Sequence, residues 1–252
     1  MALPIRSAAA VLAASALSLS ALTACTHNEA LGRNQLLLIS DAQLAQASSQ
    51  AWAQTLQKNR LSRDAAMNER VRRIGARIVQ AAGLNDRPWE YAVFENASPN
   101  AFVLPGGQVG VTTGLFKVVE NDDQLAAVIG HEAAHVAARH AAERYSQTAA
   151  AQVGLSVVGS GLDSRAAMQA LGLGAQVGVL LPFSRQHELE ADRIGVDYMH
   201  RAGFRPAESL RLWENMARGR TGGSTPQWAS THPSDATRLQ ALSEYLRSRG
   251  WL

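Results

Sequence analysis

Residues 131–140 read HEAAHVAARH. A helix turns about 100° per residue, so His131 and His135 lie roughly 40° apart on one face, where two imidazoles reach a single metal ion. Glu132, beside His131, is placed to take a proton from a water that such an ion activates. The pattern points to hydrolysis by activated water, with one zinc ion per chain as the cofactor. A third histidine, His140, falls nine residues after His131 and about 180° round an unbroken helix. It is therefore expected on the surface or behind a ligand, and its loss is expected to change zinc content little. The surroundings of the motif, LAAVIGHEAAHVAA, are apolar, and two imidazoles and a carboxylate are costly to bury there without a partner.

Catalytic zinc takes three protein ligands and keeps one position for water. The third ligand must come from elsewhere, and HELEAD at 187–192 offers it. Glu188 and Asp192 are four apart and share a helix face. Glu188 would complete the metal site, and Asp192 would accept the free ring N–H of a ligand histidine and so fix its tautomer. The competing reading of these two acids is a solvated charged face, which is the common case on helices.

The elements that must carry these residues follow from pattern and punctuation. Ser40-Asp41 opens a helix that runs to about Asn59, and Asp64 opens a second, with Met67, Val71, Ile74 and Ile78 at helical spacing until Gly83 stops it. Trp89–Phe94 reads as a strand, and Asn100–Thr113 as two short strands about a Pro-Gly-Gly turn, together a sheet of about three strands. Asn121, with Gln124 three positions on, caps the motif helix. Further helices carry HELEAD, follow Pro206 and end near Arg247. The Gly- and Ala-rich stretch from Thr148 to Phe183 admits a lid beside the site, core helices, or, less well, a pair of short membrane segments, since each half falls below about 20 apolar residues. The fold class is α+β, mostly helical.

The first 24 residues, with one positive charge at Arg6 followed by an Ala/Leu/Ser run, have the layout of a secretory signal. They end at Leu22-Thr23-Ala24-Cys25, which resembles a bacterial lipobox, so Cys25 is expected to carry a lipid and residues 25–40 to form a tether before the peptidase-like domain at 41–252. Cys25 is the only cysteine, which excludes a disulfide framework. Thr26 after it is expected to direct sorting to the outer membrane, facing the periplasm. A net charge of only +3, with Lys and Arg interspersed among acids, excludes the basic stripe of a nucleic-acid binder.

Four strings in order, NAFVLPGGQVGVTTGL, DQLAAVIGHEAAHVAARH, SRQHELEADRIG and STHPSDATRL, resemble the zinc metallopeptidase family that includes the CAAX prenyl endopeptidase, HtpX, LoiP and BepA. The resemblance covers nearly all of the chain after residue 25. It implies a zincin-like fold, His131, His135 and Glu188 as ligands, and Glu132 as general base. It also implies that His232 and Arg238, in the last string, reach the zinc cleft, His232 near the fourth coordination position, as a latch or as a participant in turnover, and Arg238 stabilising it or the oxyanion. No tetratricopeptide array follows residue 252, and the membrane helices of HtpX are not evident. Substrate would bind extended at the edge around Asn100, Ala101 and Phe102, where backbone pairing gives sequence-tolerant affinity. The implied function is an envelope endopeptidase in protein quality control, with unfolded outer-membrane proteins as substrates. A second reading is an envelope assembly factor or chaperone with little proteolysis.

Overall fold

A computed structural model describes residues 25–158, 183–218, 227–232 and 236–252. The signal-like residues 1–24 and most of the Gly/Ala-rich segment read as a lid lie outside the described residues. In chain order the elements are β1 (Cys25–Asn28), β2 (Arg33–Leu36), α1 (Asp41–Lys58), α2 (Ala65–Ala82), β3 (Glu90–Phe94), β4 (Ala101–Val103), β5 (Gln108–Thr112), a 3-10 turn (Thr113–Lys117), α3 (Asp122–Ala137), α4 (His140–Val158), α5 (Arg185–Arg201), α6 (Glu208–Arg218), α7 (Gln227–Thr231) and α8 (Ala236–Ser248). Among the described residues no helix is long and apolar enough to cross a membrane.

Capping chemistry sets the helix starts. Ser40 and Gln43 form a reciprocal box at α1, and the Asp64 carboxylate accepts from Met67 N–H at α2, which ends at Gly83 in the left-handed region (φ 69°). Asn121 caps α3 by accepting from Gln124 N–H. The expected reciprocal bond is diverted, because Gln124 Oε1 accepts from Glu120 N–H instead.

The three-stranded sheet has the order β3-β5-β4, with β3 parallel and β4 antiparallel to the central β5. Among the described residues β4 is thus an edge strand. Residues 25–40, read from the sequence as a tether, are structured: β1 and β2 pair as a hairpin with Asn28 opposite Arg33 and Cys25 opposite Leu36. The hairpin docks on the break between α3 and α4, where Gln35 Nε2 donates to Ala138 O at 2.8 Å and Ser146 Oγ accepts from Leu38 N–H at 2.7 Å.

Helix α3 runs through the middle of the core. Every residue from Gln124 to Val136 is buried, packed with Val71, Ile74 and Ile78 of α2, Val109 and Val111 of β5, and Met199 of α5. α3 and α5 cross where two glycines meet. A Cβ on Gly130 would come within 2.9 Å of Gly195 O, and a Cβ on Gly195 within 2.9 Å of His131 N. Backbone-to-backbone approach at that point brings the HELEAD face of α5 up to the motif face of α3. Gly195→Ala should therefore push the helices apart, destabilise the chain by about 1–3 kcal/mol and weaken metal binding in the same variant. Thermal unfolding with zinc titration checks this, and a variant as stable and as metal-tight as wild type would contradict it.

Candidate metal centre

The α3–α5 crossing gathers four buried side chains, His131 and His135 from α3, Glu188 from α5 and His232 just after α7, whose donor atoms lie within 4.8 Å of one another. The two Nε2 atoms of His131 and His135 are 3.1 Å apart. Glu188 oxygens lie 3.5 Å from each of them. His232 Nδ1 lies 3.4 Å from His131 Nε2 and 3.0 Å from Glu188 Oε1.

Proton placement tests whether these residues fit a metal. A carboxylate only accepts, so the 3.0 Å contact between His131 Nδ1 and Asp192 Oδ1 puts the ring proton on Nδ1 and leaves Nε2 a lone pair. Asp192 does so while held by Arg238, whose Nη2 donates to Asp192 Oδ1 at 2.8 Å. Only the His232 Nδ1–Glu188 Oε1 contact pairs a donor with a carboxylate at hydrogen-bond distance; the facing Nε2 atoms of His131 and His135 bring lone pairs together, and a cation between them and the carboxylate satisfies both. The spacings suit zinc, for which donors about 2.0–2.1 Å from a tetrahedral ion stand roughly 3.3 Å from one another.

Electrostatics agree. Burial works against a charged His131, but Asp192 and Glu188 outweigh it and raise its pKa to about 9, so positive charge is favoured at this point. Burial holds His135 well below the ordinary imidazole range. Burial also opposes the charge of Glu188, yet His232, Arg238, His131 and His135 together hold it well below the usual carboxylate range. Glu132 behaves oppositely, its pKa raised by burial. Its Oε1 has no hydrogen-bond partner among the described residues, and His232 Nε2 lies 3.4 Å away.

Aromatic rings fix the histidines. Phe183 stacks on His135 at 3.9 Å. Trp228 lies nearly parallel to His232 at 4.8 Å on one side and to Trp213 at 4.8 Å on the other.

Two sequence expectations change. Arg238 is buried, its Nη1 pairs with Glu188 Oε2 and its other nitrogens with Asp192. It orients the two carboxylates, a positioning role in place of the catalytic one expected. His140, expected on the surface or behind a ligand, lies behind one, though not by the route assumed, because the helix breaks. Arg139 takes φ 52°, a left-handed conformation costing a non-glycine residue about 1–3 kcal/mol, and α4 restarts at His140, which is buried against His135 with the two Nδ1 atoms 2.9 Å apart.

At the sheet edge, Asn100 and Ala101 are buried and Asn100 Oδ1 has no hydrogen-bond partner among the described residues. The Phe102 ring packs with Phe94 and Trp52 in a small apolar cluster, and Phe102 stands opposite Gly110 in the β4–β5 ladder. A cavity of about 700 Å³ is lined by His135 and Phe183 at the site and by Val103 and Gly106 at the end of β4.

The sequence model of peptidase family M48 matches residues 65–246. The chain belongs to peptidase family M48. M48 relatives include the mitochondrial metalloendopeptidase OMA1 of Schizosaccharomyces pombe, 41% identical over 178 residues, covering 70% of this chain and 52% of the relative. The beta-barrel assembly-enhancing protease of Escherichia coli is 32% identical over 189 residues, covering 71% of this chain and 39% of its own length. OMA1 of Bos taurus is 30% identical over 233 residues, covering 85% and 45%. The chain thus spans about half or less of each. The hairpin and α1 lie outside the residues matched to M48.

Sequence reasoning missed the Gly130–Gly195 approach, although both glycines stand in the motif strings, and missed Arg33 and Glu190 entirely. Replacing a ligand should cost more than replacing its support. Glu188→Ala should all but abolish zinc retention, while Asp192→Ala should weaken it about 10–100-fold; competition with a chromogenic chelator ranks the two, and the reverse order would contradict the assignment.

Proposed function

We propose that this M48 member is a zinc-dependent endopeptidase of the bacterial cell envelope that cleaves unfolded or misassembled polypeptides. The observation that carries the hydrolytic reading is Glu132, a buried carboxylate one residue from a metal ligand, with its pKa raised by burial and one oxygen unpartnered. Zinc, when bound, supplies Lewis-acid polarisation and brings the pKa of a water to roughly 7. Glu132, one residue from His131, would be placed to take a proton from a water at that site and to deliver it to the leaving amine. Asp192 and Arg238 keep His131 and Glu188 aligned throughout. Among the described residues β4 pairs on one side only, which suits an extended substrate that adds a strand beside Asn100, Ala101 and Phe102, and the cavity from His135 reaches the end of that strand at Val103.

His232 stands with the three other donors, and if its ring were to fill the fourth position of a bound zinc it would keep water from that position. Hydrolysis would then call for His232 to swing away, and the resting enzyme would be latent. An assembly factor without proteolysis would have the same groove, in keeping with the name of the E. coli relative, but no use for a base beside the metal. The envelope location rests on the leader. A single Arg before an Ala/Leu/Ser run ending at Cys25 is a lipoprotein signal in composition, whereas a mitochondrial presequence is Arg-rich.

Two paired measurements test the chemistry. Glu132→Gln should bind zinc normally while casein hydrolysis falls by several orders of magnitude. His232→Ala should bind zinc less tightly yet cleave faster, and slower cleavage would replace the latch with a role in turnover. For the anchor, wild type should partition with membranes and carry acyl mass on Cys25, and Cys25→Ser should lose both; a soluble, unacylated wild type would contradict the location.

A further inference from the structure

We propose that His140 is a positioning residue for the metal ligand His135, and that Arg33, on the hairpin outside the M48-matched residues, sets the proton that lets it act. The inference rests on the reading that His131, His135 and Glu188 hold zinc.

His135 offers Nε2 to the metal only when its single ring proton sits on Nδ1. That proton needs an acceptor, usually a carboxylate or a backbone carbonyl. Here the partner 2.9 Å away is the Nδ1 of another imidazole, His140. An imidazole serves as acceptor at Nδ1 only if its own proton is on Nε2, and what decides that is the group facing Nε2. His140 Nε2 lies 3.0 Å from Glu190 Oε2, and a carboxylate accepts only. The proton order therefore runs from Glu190 through His140 to His135 and leaves His135 Nε2 as a lone pair aimed at the metal.

Glu190 is held in place chiefly from outside the two core helices, with one further bond from α5 itself. Arg33 Nε donates to Glu190 Oε1 at 2.7 Å and Nη2 to Oε2 at 2.8 Å, and Gln186 Nε2 adds a third bond at 3.0 Å. The same guanidinium makes two bonds to Glu143, at 2.7 and 2.8 Å. Glu143 in turn accepts from Gln35 Nε2 at 2.6 Å and faces His187 Nε2 at 3.2 Å, and the His187 ring stacks on His140 at 4.4 Å. This second cluster of two histidines and two carboxylates already has its cation in Arg33, so it is a brace and no metal site. The left-handed Arg139 makes the geometry available, because an unbroken helix would carry His140 to the far side. It is the counterpart, for His135, of what Asp192 and Arg238 do for His131.

The test uses the full chain, stripped of metal by a chelator and titrated with zinc against a chromogenic competitor, with no activity measured. His140→Phe keeps a ring of similar size and removes the acceptor. His140→Asn keeps an acceptor, its Oδ1 falling near the position of Nδ1. Zinc affinity should fall about 10–100-fold in His140→Phe, the usual loss when a partner of a ligand is removed, and should stay within about threefold of wild type in His140→Asn. Arg33→Met should fall between them. Wild-type affinity in His140→Phe, or equal losses in the Phe and Asn variants, would overturn the proposal, the latter by showing that packing alone matters. Should His140→Phe not fold, long-range proton–nitrogen spectra of zinc-bound wild type decide: protonated Nδ1 on His135 with unprotonated Nδ1 on His140 supports the order, and the reverse overturns it. A wild type that binds no zinc would instead refute the metal site itself.

Discussion

Everything at the centre depends on two backbones touching. Where α3 and α5 cross, Gly130 and Gly195 leave no side chain between them, and a methyl on either would meet main-chain atoms at 2.9 Å. Ion-ligand distances tolerate little error, since donors must sit within a few tenths of an ångström of their places. Two histidines on one helix and a glutamate on another meet that tolerance only if the helices are held at fixed separation, and a steric contact between backbones is stiffer than any side-chain packing that could replace it.

On this frame the charges are laid out in two arms that end on the same point. One runs from Arg238 through Asp192 to His131, the other from Arg33 through Glu190 and His140 to His135. Each arm has a cationic end, a carboxylate next to it and an imidazole facing inward, and the Arg238 end also reaches the ligand Glu188. Buried carboxylates would be costly alone, and the arginines compensate them. The arms differ in origin. The first is built within the M48-matched residues, the second recruits a residue from the N-terminal hairpin.

The sequence disclosed what is local. Helix starts at Ser40, Asp64 and Asn121, the stop at Gly83 and the short strands were legible because their causes lie within a few residues. The pairing of His131 with His135, and of Glu188 with Asp192, was legible because helix periodicity is a local rule as well. Long-range facts were not. Parallel pairing of β3 with β5 depends on tertiary register, and nothing near Arg33 announces that it will reach residues 110 and 157 positions away. Between the surface and a place behind a ligand the sequence could not choose for His140, because the break at Arg139, a non-glycine at positive φ, has no sequence signature and is held there by the surrounding structure.

The hairpin changes what an anchor at its first residue would mean. Cys25 lies at one end of the ladder and Arg33 at the other, separated by about 10 Å of strand at roughly 3.3 Å per residue. With a lipid on Cys25 there is almost no slack between bilayer and catalytic wall. A long flexible leash would let the enzyme sweep a wide radius of the surrounding space. An anchor this short would confine it to a thin layer against the membrane, and substrates would then be selected first by how close to the lipid surface they expose an extended segment, and only then by what the groove accepts.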